Sequence, residues 1–382
     1  MTRTTATGLF DEIFPKPATG SGESGVASSA ALSEAFERLH RSGPEFGGDE
    51  EGNHGLTNHG PMAAEVIVRR GLDLDVHQWL NRYIPRLAEL PTESGRITDD
   101  NWQAALGDGR RIGDWTAYFT RQVAEGPWRD VLLTWWPRLL PGIAAGSTHG
   151  VIRVGHAVRV LNAGNHSQPT LTELGYGLAF WAARSRPLPS LGSPAGNLSA
   201  RAALAGVPRL ADQSGFISHR LDRLADLSGW PGSLTALRPP ATPADVPARL
   251  SDLVDVATVH YLGYGHGSPV LLVHTATAPN AVLHCLATLP DRLWTASFAA
   301  AWAAAAALTA MYCPTEPAPR NALPAAGDEN EPEAEALARA ARHRDEHVMK
   351  FTDTAVEVFQ RTGNRDALAA AMRSCQLIDS AQ

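Results

Sequence analysis

WTASFAAAWAAAAALTAMY, residues 294–312, is the stretch whose reading decides the fold. Its 19 residues carry no charge, so by length alone it is a candidate bilayer span. Alanine dominates it, however, and alanine is a weak hydrophobe and a strong helix former. No second segment of this kind occurs along the chain. The stretch therefore reads as a helix buried on all sides in a large soluble core.

Working outward, almost every apolar periodicity is that of a helix. LSDLVDVATVHYLGY (from 250), VLLVHTATAPNAVLHCLATLP (from 270) and RDALAAAMRSCQLI (from 365) fit it, as does one long run from Glu331 to Gly363. Toward the N-terminus, residues 28–43 predict a first helix and 44–58 a loop, with a second helix beginning near His59. The next runs carry Pro85 as a possible kink and Pro127 in a first turn. HGVIRVGHAVRVLNAG (149–164) ends at about Gly164, and LTELGYGLAFWAAR follows from 171. Gly and Pro punctuate 187–250, leaving room for two or three helices. Residues 314–333 read as a surface loop. The ladder of Val/Ile strands that an α/β sheet needs is not visible. The expectation is an all-α fold, a large irregular helical bundle. Residues 1–30 form a flexible segment and 31–382 a single helical domain.

A chain of 382 residues buries roughly three quarters of its unfolded surface. Its net charge of −7 and pI near 6.1 argue against nucleic-acid binding, which needs a basic footprint. Cys285, Cys313 and Cys375 are too few and too far apart for a disulfide framework or a zinc knuckle. With no signal-peptide core near the N-terminus, the expected location is cytoplasmic.

The chemistry lies in 14 histidines. His54 sits in a Gly-rich loop. His59 opens a helix and can face the core from its first turn. His149 and His156 are seven apart, nearly on one helix face, with Arg153 between them; Gly150 and Gly155 leave room for a close neighbour. His274 interrupts an apolar run, where a polar side chain needs a partner. His343 and His347 are four apart, and Lys350 follows His347 by three. An ammonium has no lone pair for a metal, so Lys350 is either surface polarity or chemically altered. No zinc-peptidase HisGluXxxXxxHis occurs. Spacing alone makes these histidines a weak metal signal.

Four stretches, in order, resemble the questin oxidase-like family: NHGPMAAEVIVRRG from 58, STHGVIRVGHAVRVL from 147, LLVHTATAPNAV from 271 and DEHVMKFTDTAVEV from 345. That family includes fungal enzymes that open anthraquinone rings oxidatively and others described as Baeyer-Villiger-like. At least one member is a non-haem iron dioxygenase whose iron is held by four histidines and a carboxylated lysine. The resemblance implies iron(II) ligands at His59, His149, His274, His347 and Lys350, with Lys350 as N6-carboxylysine. A lysine in an apolar pocket has a lowered pKa, and the neutral amine adds carbon dioxide to become an anionic oxygen donor.

The implied activity is ring cleavage of an aromatic polyketide, anthraquinone-like, by dioxygen, with NADPH as a candidate external reductant. Arg153, His156 and His260 are candidate phenolate binders or proton carriers. Trp181, Trp294 and Trp302 are candidate stacking surfaces or plain core. No dinucleotide fingerprint is present. Two rivals stand beside this reading: a metal-free, NADPH-dependent Baeyer-Villiger-type oxygenase, and a non-catalytic helical protein that binds a small molecule. The expected partners are a small aromatic substrate and dioxygen, with neither nucleic acid nor membrane.

Overall fold

The computed structural model describes residues 22–45, 57–189, 192–327 and 330–381. His54, and most of the segment expected to be flexible, lie outside the described residues. The 294–312 stretch is the single helix Trp294–Tyr312. It passes the length and composition test for a membrane span, yet 78% of its most apolar window is buried within protein. Trp302 donates its indole N–H to Leu234 O at 3.1 Å, and Trp294 donates to Leu289 O at 2.8 Å. Buried indoles satisfied by backbone carbonyls are what a core helix requires.

The described residues are almost wholly helical. They divide into two compact units, 20–187 and 188–382. In the first, helices Gly22–Leu39, Gly60–Arg70, Val76–Tyr83, Ile112–Glu125, Trp128–Leu139, His149–Asn162 and Gln168–Ala183 enclose an aromatic core. Trp135 lies at its centre, its ring 4.8 Å from Phe119 and 5.4 Å from Trp115. The second unit is built on Val246–Tyr264, His274–Leu286, Trp294–Tyr312, Pro332–His343, Glu346–Thr362 and Arg365–Leu377. Three short helices lie in 188–245: Ala200–Ala205, Ile217–Arg223 and Trp230–Ala236.

Four boundaries differ from the sequence reading, the first being that the opening helix begins at Gly22, within the segment expected to be flexible. The first helix stops at Leu39, and Ser42–Glu45 pairs as an antiparallel strand with Leu87–Glu89. Pro44 explains the change, because a residue that precedes proline is driven to extended backbone. Pro85 ends its helix in a 3₁₀ turn, Ile84–Arg86, instead of kinking it. The long run from 331 to 363 is two helices. Arg344 takes a left-handed conformation (φ 67°), and Asp345 starts the next helix by accepting from His347 N at 2.9 Å and Val348 N at 3.0 Å. His343 and His347 therefore sit on different helices, and His343 Nε2 lies 2.9 Å from Ile378 O.

Gly150 lets two helices touch. A Cβ there would stand 2.5 Å from Trp181 Cβ, so the His149–Asn162 helix packs against Gln168–Ala183 at backbone range. Gly150→Ala is expected to destabilise the protein by about 1–3 kcal/mol through overpacking. Urea denaturation measures this, and an unchanged midpoint would refute the close-packing account.

Candidate functional site

In the unit 20–187, His59 and His149 face each other across a helix pair. Their Nε2 atoms are 2.8 Å apart and the rings meet edge to face at 82°. Local structure places both with little freedom. His59 is the N-cap of helix Gly60–Arg70, and its backbone N–H donates to Tyr83 Oη at 2.6 Å. Gly60 is required beside it, since a Cβ would lie 2.4 Å from Leu39 Cδ2 and 2.7 Å from Tyr83 Cε1. His149 is the first residue of its own helix. Gly146, Ser147 and Thr148 precede it with φ of 58°, 54° and 66°, all left-handed. For the β-branched Thr148 this conformation is a true outlier, and strain of this kind costs about 1–3 kcal/mol per residue. The turn aims Gly146 O at His149 Nδ1, 2.6 Å away.

The outer nitrogens fix the tautomers. His149 Nδ1–H donates to the Gly146 carbonyl. His59 Nδ1–H donates to Glu45 Oε1 at 2.8 Å, and Tyr83 Oη–H donates to the same oxygen at 2.6 Å. With each Nδ1 protonated, each Nε2 presents a lone pair, and the two lone pairs converge. Two nitrogens bound at right angles to one metal, each about 2.0–2.1 Å away, stand roughly 2.9 Å apart. The pair fits that bite, and Glu45 occupies the carboxylate position behind a metal-bound histidine.

Glu45 was hidden in the sequence among the acidic residues of a stretch read as loop. Its signal was the Pro44 that turns 42–45 into a strand. Tyr83, at the end of helix Val76–Tyr83, was likewise passed over.

Arg153 and His156 follow His149 on its helix, but each is engaged elsewhere. Arg153 donates from Nε and Nη2 to Glu173 at 2.5 and 2.7 Å, and His40 Nε2 lies 2.9 Å from the same carboxylate. Burial works against the Glu173 charge, but Arg153 and His40 outweigh it and hold the carboxyl below its ordinary range. His156 Nδ1 lies 2.9 Å from Glu65 Oε2. Beside Arg153 opens a small, mainly apolar cleft, with Asn58, Leu90, Ile112, Tyr176 and Phe180 among its walls. Trp181 is packed on Trp136 at 5.5 Å and is core.

In the unit 188–382, His274 heads the helix His274–Leu286 and His347 lies in the first turn of Glu346–Thr362. Their rings meet at 5.4 Å and 87°. His274 Nδ1 approaches Leu271 O at 3.2 Å, which again leaves Nε2 as the lone-pair nitrogen. One turn after His347, Lys350 is 2% exposed. Asp345, Glu346 and His347 bring ligand atoms within 4.8 Å of one another. Burial, and then the Glu346 charge, push the Asp345 carboxyl up to about 6. The His260 ring stacks on Tyr264 at 4.2 Å, and its Nε2 is 3.6 Å from Cys313 Sγ. Burial, with Arg209 and Arg201 nearby, pushes the His260 imidazole down to about 4.

A family model described as Questin oxidase-like matches residues 75–170, about a quarter of the chain. The matched segment contains Tyr83, His149, Arg153 and His156; His59, His274, His347 and Lys350 lie outside it. No curated protein matches the chain.

Proposed function

We propose that the protein is a metal-dependent oxidoreductase that binds iron(II), with ligands drawn from His59, His149, His274, His347 and Lys350. The observation that carries this reading is the pair of imidazoles whose Nε2 lone pairs converge at 2.8 Å, with their Nδ1 protons committed to Glu45 and Gly146. Two neutral acceptors in this arrangement need a cation between them. A shared proton is the other cation that fits, and while it sits between the rings the pair cannot hold metal. Bound iron(II) supplies redox chemistry toward dioxygen.

The residues around it have assignable tasks. Glu45 and Tyr83 hold His59 in one tautomer. The strained turn at 146–148 does the same for His149. Arg153, clamped by Glu173, keeps N–H donors beyond those used by the carboxylate and offers them at the cleft. Tyr176 and Phe180 are four apart on one helix face and form an apolar wall for a flat ring. The proposed substrate is a fused-ring phenol or quinone whose oxygen is met by Arg153. NADPH as external reductant is part of the proposal only if a single oxygen atom is incorporated.

For Lys350 we propose the carboxylated form, since an ammonium beside a metal in a low-dielectric site is repelled. A second reading comes from Glu346, also 2% exposed and one helical turn away: the lysine is then an ammonium that balances buried carboxylates. Native mass spectrometry separates the two, with one carbon dioxide of added mass, lost on acidification, expected for the first.

Elemental analysis of purified protein, followed by oxygen-electrode assays with anthraquinones and their reduced forms, tests the whole reading. Stoichiometric metal and oxygen uptake are expected. Activity that survives complete metal removal and needs NADPH would instead select the metal-free oxygenase.

A further inference from the structure

The helices His274–Leu286 and Glu346–Thr362 pack along a seam whose facing residues are polar although buried. His347, Lys350, Thr354 and Glu357 follow one another at three- and four-residue steps and so share one face. On the partner helix, Thr277 and Asn280 continue the face that begins at His274. At the far end Glu357 Oε2 accepts from Asn280 Nδ2 at 2.8 Å and pairs with His284 Nε2 at 3.1 Å, where the side chains of His284 and Glu357 are 10% and 9% exposed. Asn280 Nδ2 also reaches Thr354 Oγ1 at 3.4 Å, and Thr354 Oγ1 donates to Lys350 O at 3.3 Å.

Two oxygen atoms in this seam have no hydrogen-bond partner among the described residues. Thr277 Oγ1 and Asn280 Oδ1 are buried, on residues 5% and 3% exposed, and neither makes a hydrogen bond. Flipping the Asn280 amide does not repair this, because its oxygen would then face the Glu357 carboxylate. Buried polar atoms with no protein partner bind internal water, and each such water makes about three hydrogen bonds. Side chains one helical turn apart, on one face, can share such a water.

We propose that ordered water molecules occupy this seam, bound by Thr277 Oγ1 and Asn280 Oδ1. They connect the His284–Glu357 pair, near solvent, with the end that carries His274, His347 and Lys350. The seam is then the route by which water and protons reach that end. Its use in proton delivery to a metal rests on the reading above, whereas the waters themselves do not.

The full-length, metal-free chain provides the test. A crystal structure that resolves waters should show density within hydrogen-bond distance of Thr277 Oγ1 and Asn280 Oδ1. Hydrogen–deuterium exchange at the histidine C2 position, read by mass spectrometry, should be measurable at His274 and His347. It should slow severalfold in Thr277→Val, recover in Thr277→Ser, and stay unchanged at the exposed His219 in all three chains. A dry seam in the crystal, or equal exchange at His347 in the native and Thr277→Val chains, overturns the proposal. If Thr277→Val fails to fold, Asn280→Leu serves in its place, with thermal unfolding as the control. A chain that shows these waters but takes up no iron sustains the seam and sinks the metal reading alone.

Discussion

His59→Ala and His149→Ala chains are each expected to bind divalent metal more than about 100-fold more weakly than the native chain. Loss of a group that only supports a ligand typically costs about 10–100-fold, so direct ligands should exceed that range. Glu45→Gln should fall inside it, because the amide still accepts the His59 Nδ1 proton but no longer carries charge. His156→Ala should retain metal, since its imidazole is committed to Glu65. The order His59→Ala, then Glu45→Gln, then His156→Ala is the prediction, read by competition with a chromogenic chelator. Imidazoles bind metal in the neutral form, so affinity should fall as the pH is lowered. Equal metal retention by His59→Ala and His156→Ala would show that the facing pair shares a proton instead of a metal.

Glu65→Ala is expected to destabilise the unit 20–187 by about 3 kcal/mol, the low end of the range for breaking a buried ion pair. Glu65 is fully buried on helix Gly60–Arg70 and gathers three partners. It accepts from Arg69 Nε at 2.9 Å, from Arg159 at 3.0 Å and through a second contact, and it lies 2.9 Å from His156 Nδ1. The low end applies because the Arg69 side chain is 28% exposed and can return to water. Burial opposes the Glu65 charge, but Arg159, Arg69 and His156 overcome it and hold the carboxyl far below its ordinary range. A depressed carboxyl contributes stability that is complete above its unfolded-state pKa, about 4.3, and fades as the pH falls below that. Urea denaturation at neutral and acid pH should therefore show native and Glu65→Ala chains converging in acid. A constant gap across that range would mean that lost packing, and not the ion network, explains the cost.

The helical class was legible because it rests on periodicity, which neighbours in sequence encode. The alanine stretch 294–312 is one helix, as its composition demands, and the Gly164 boundary falls where a left-handed glycine (φ 96°) allows. The misread boundaries have local causes that compete with periodicity. Pro44 turned a helix end into a strand, and Arg344 with Asp345 cut one amphipathic run in two without any Gly or Pro to mark the place.

The candidate site was legible only in its residue types. A histidine in an apolar helical run announces that it needs a partner, and that much the sequence determined for His59, His149, His274 and His347. Which partner it finds depends on what the tertiary structure brings from elsewhere in the chain. Glu45 comes from 14 residues away and His149 from 90 to meet His59, and Glu173 comes from 20 residues away to claim Arg153. No spacing rule reaches across such separations. The tautomers, too, were decided only there, because a ring nitrogen keeps or offers its lone pair according to the group that packing sets against the other nitrogen.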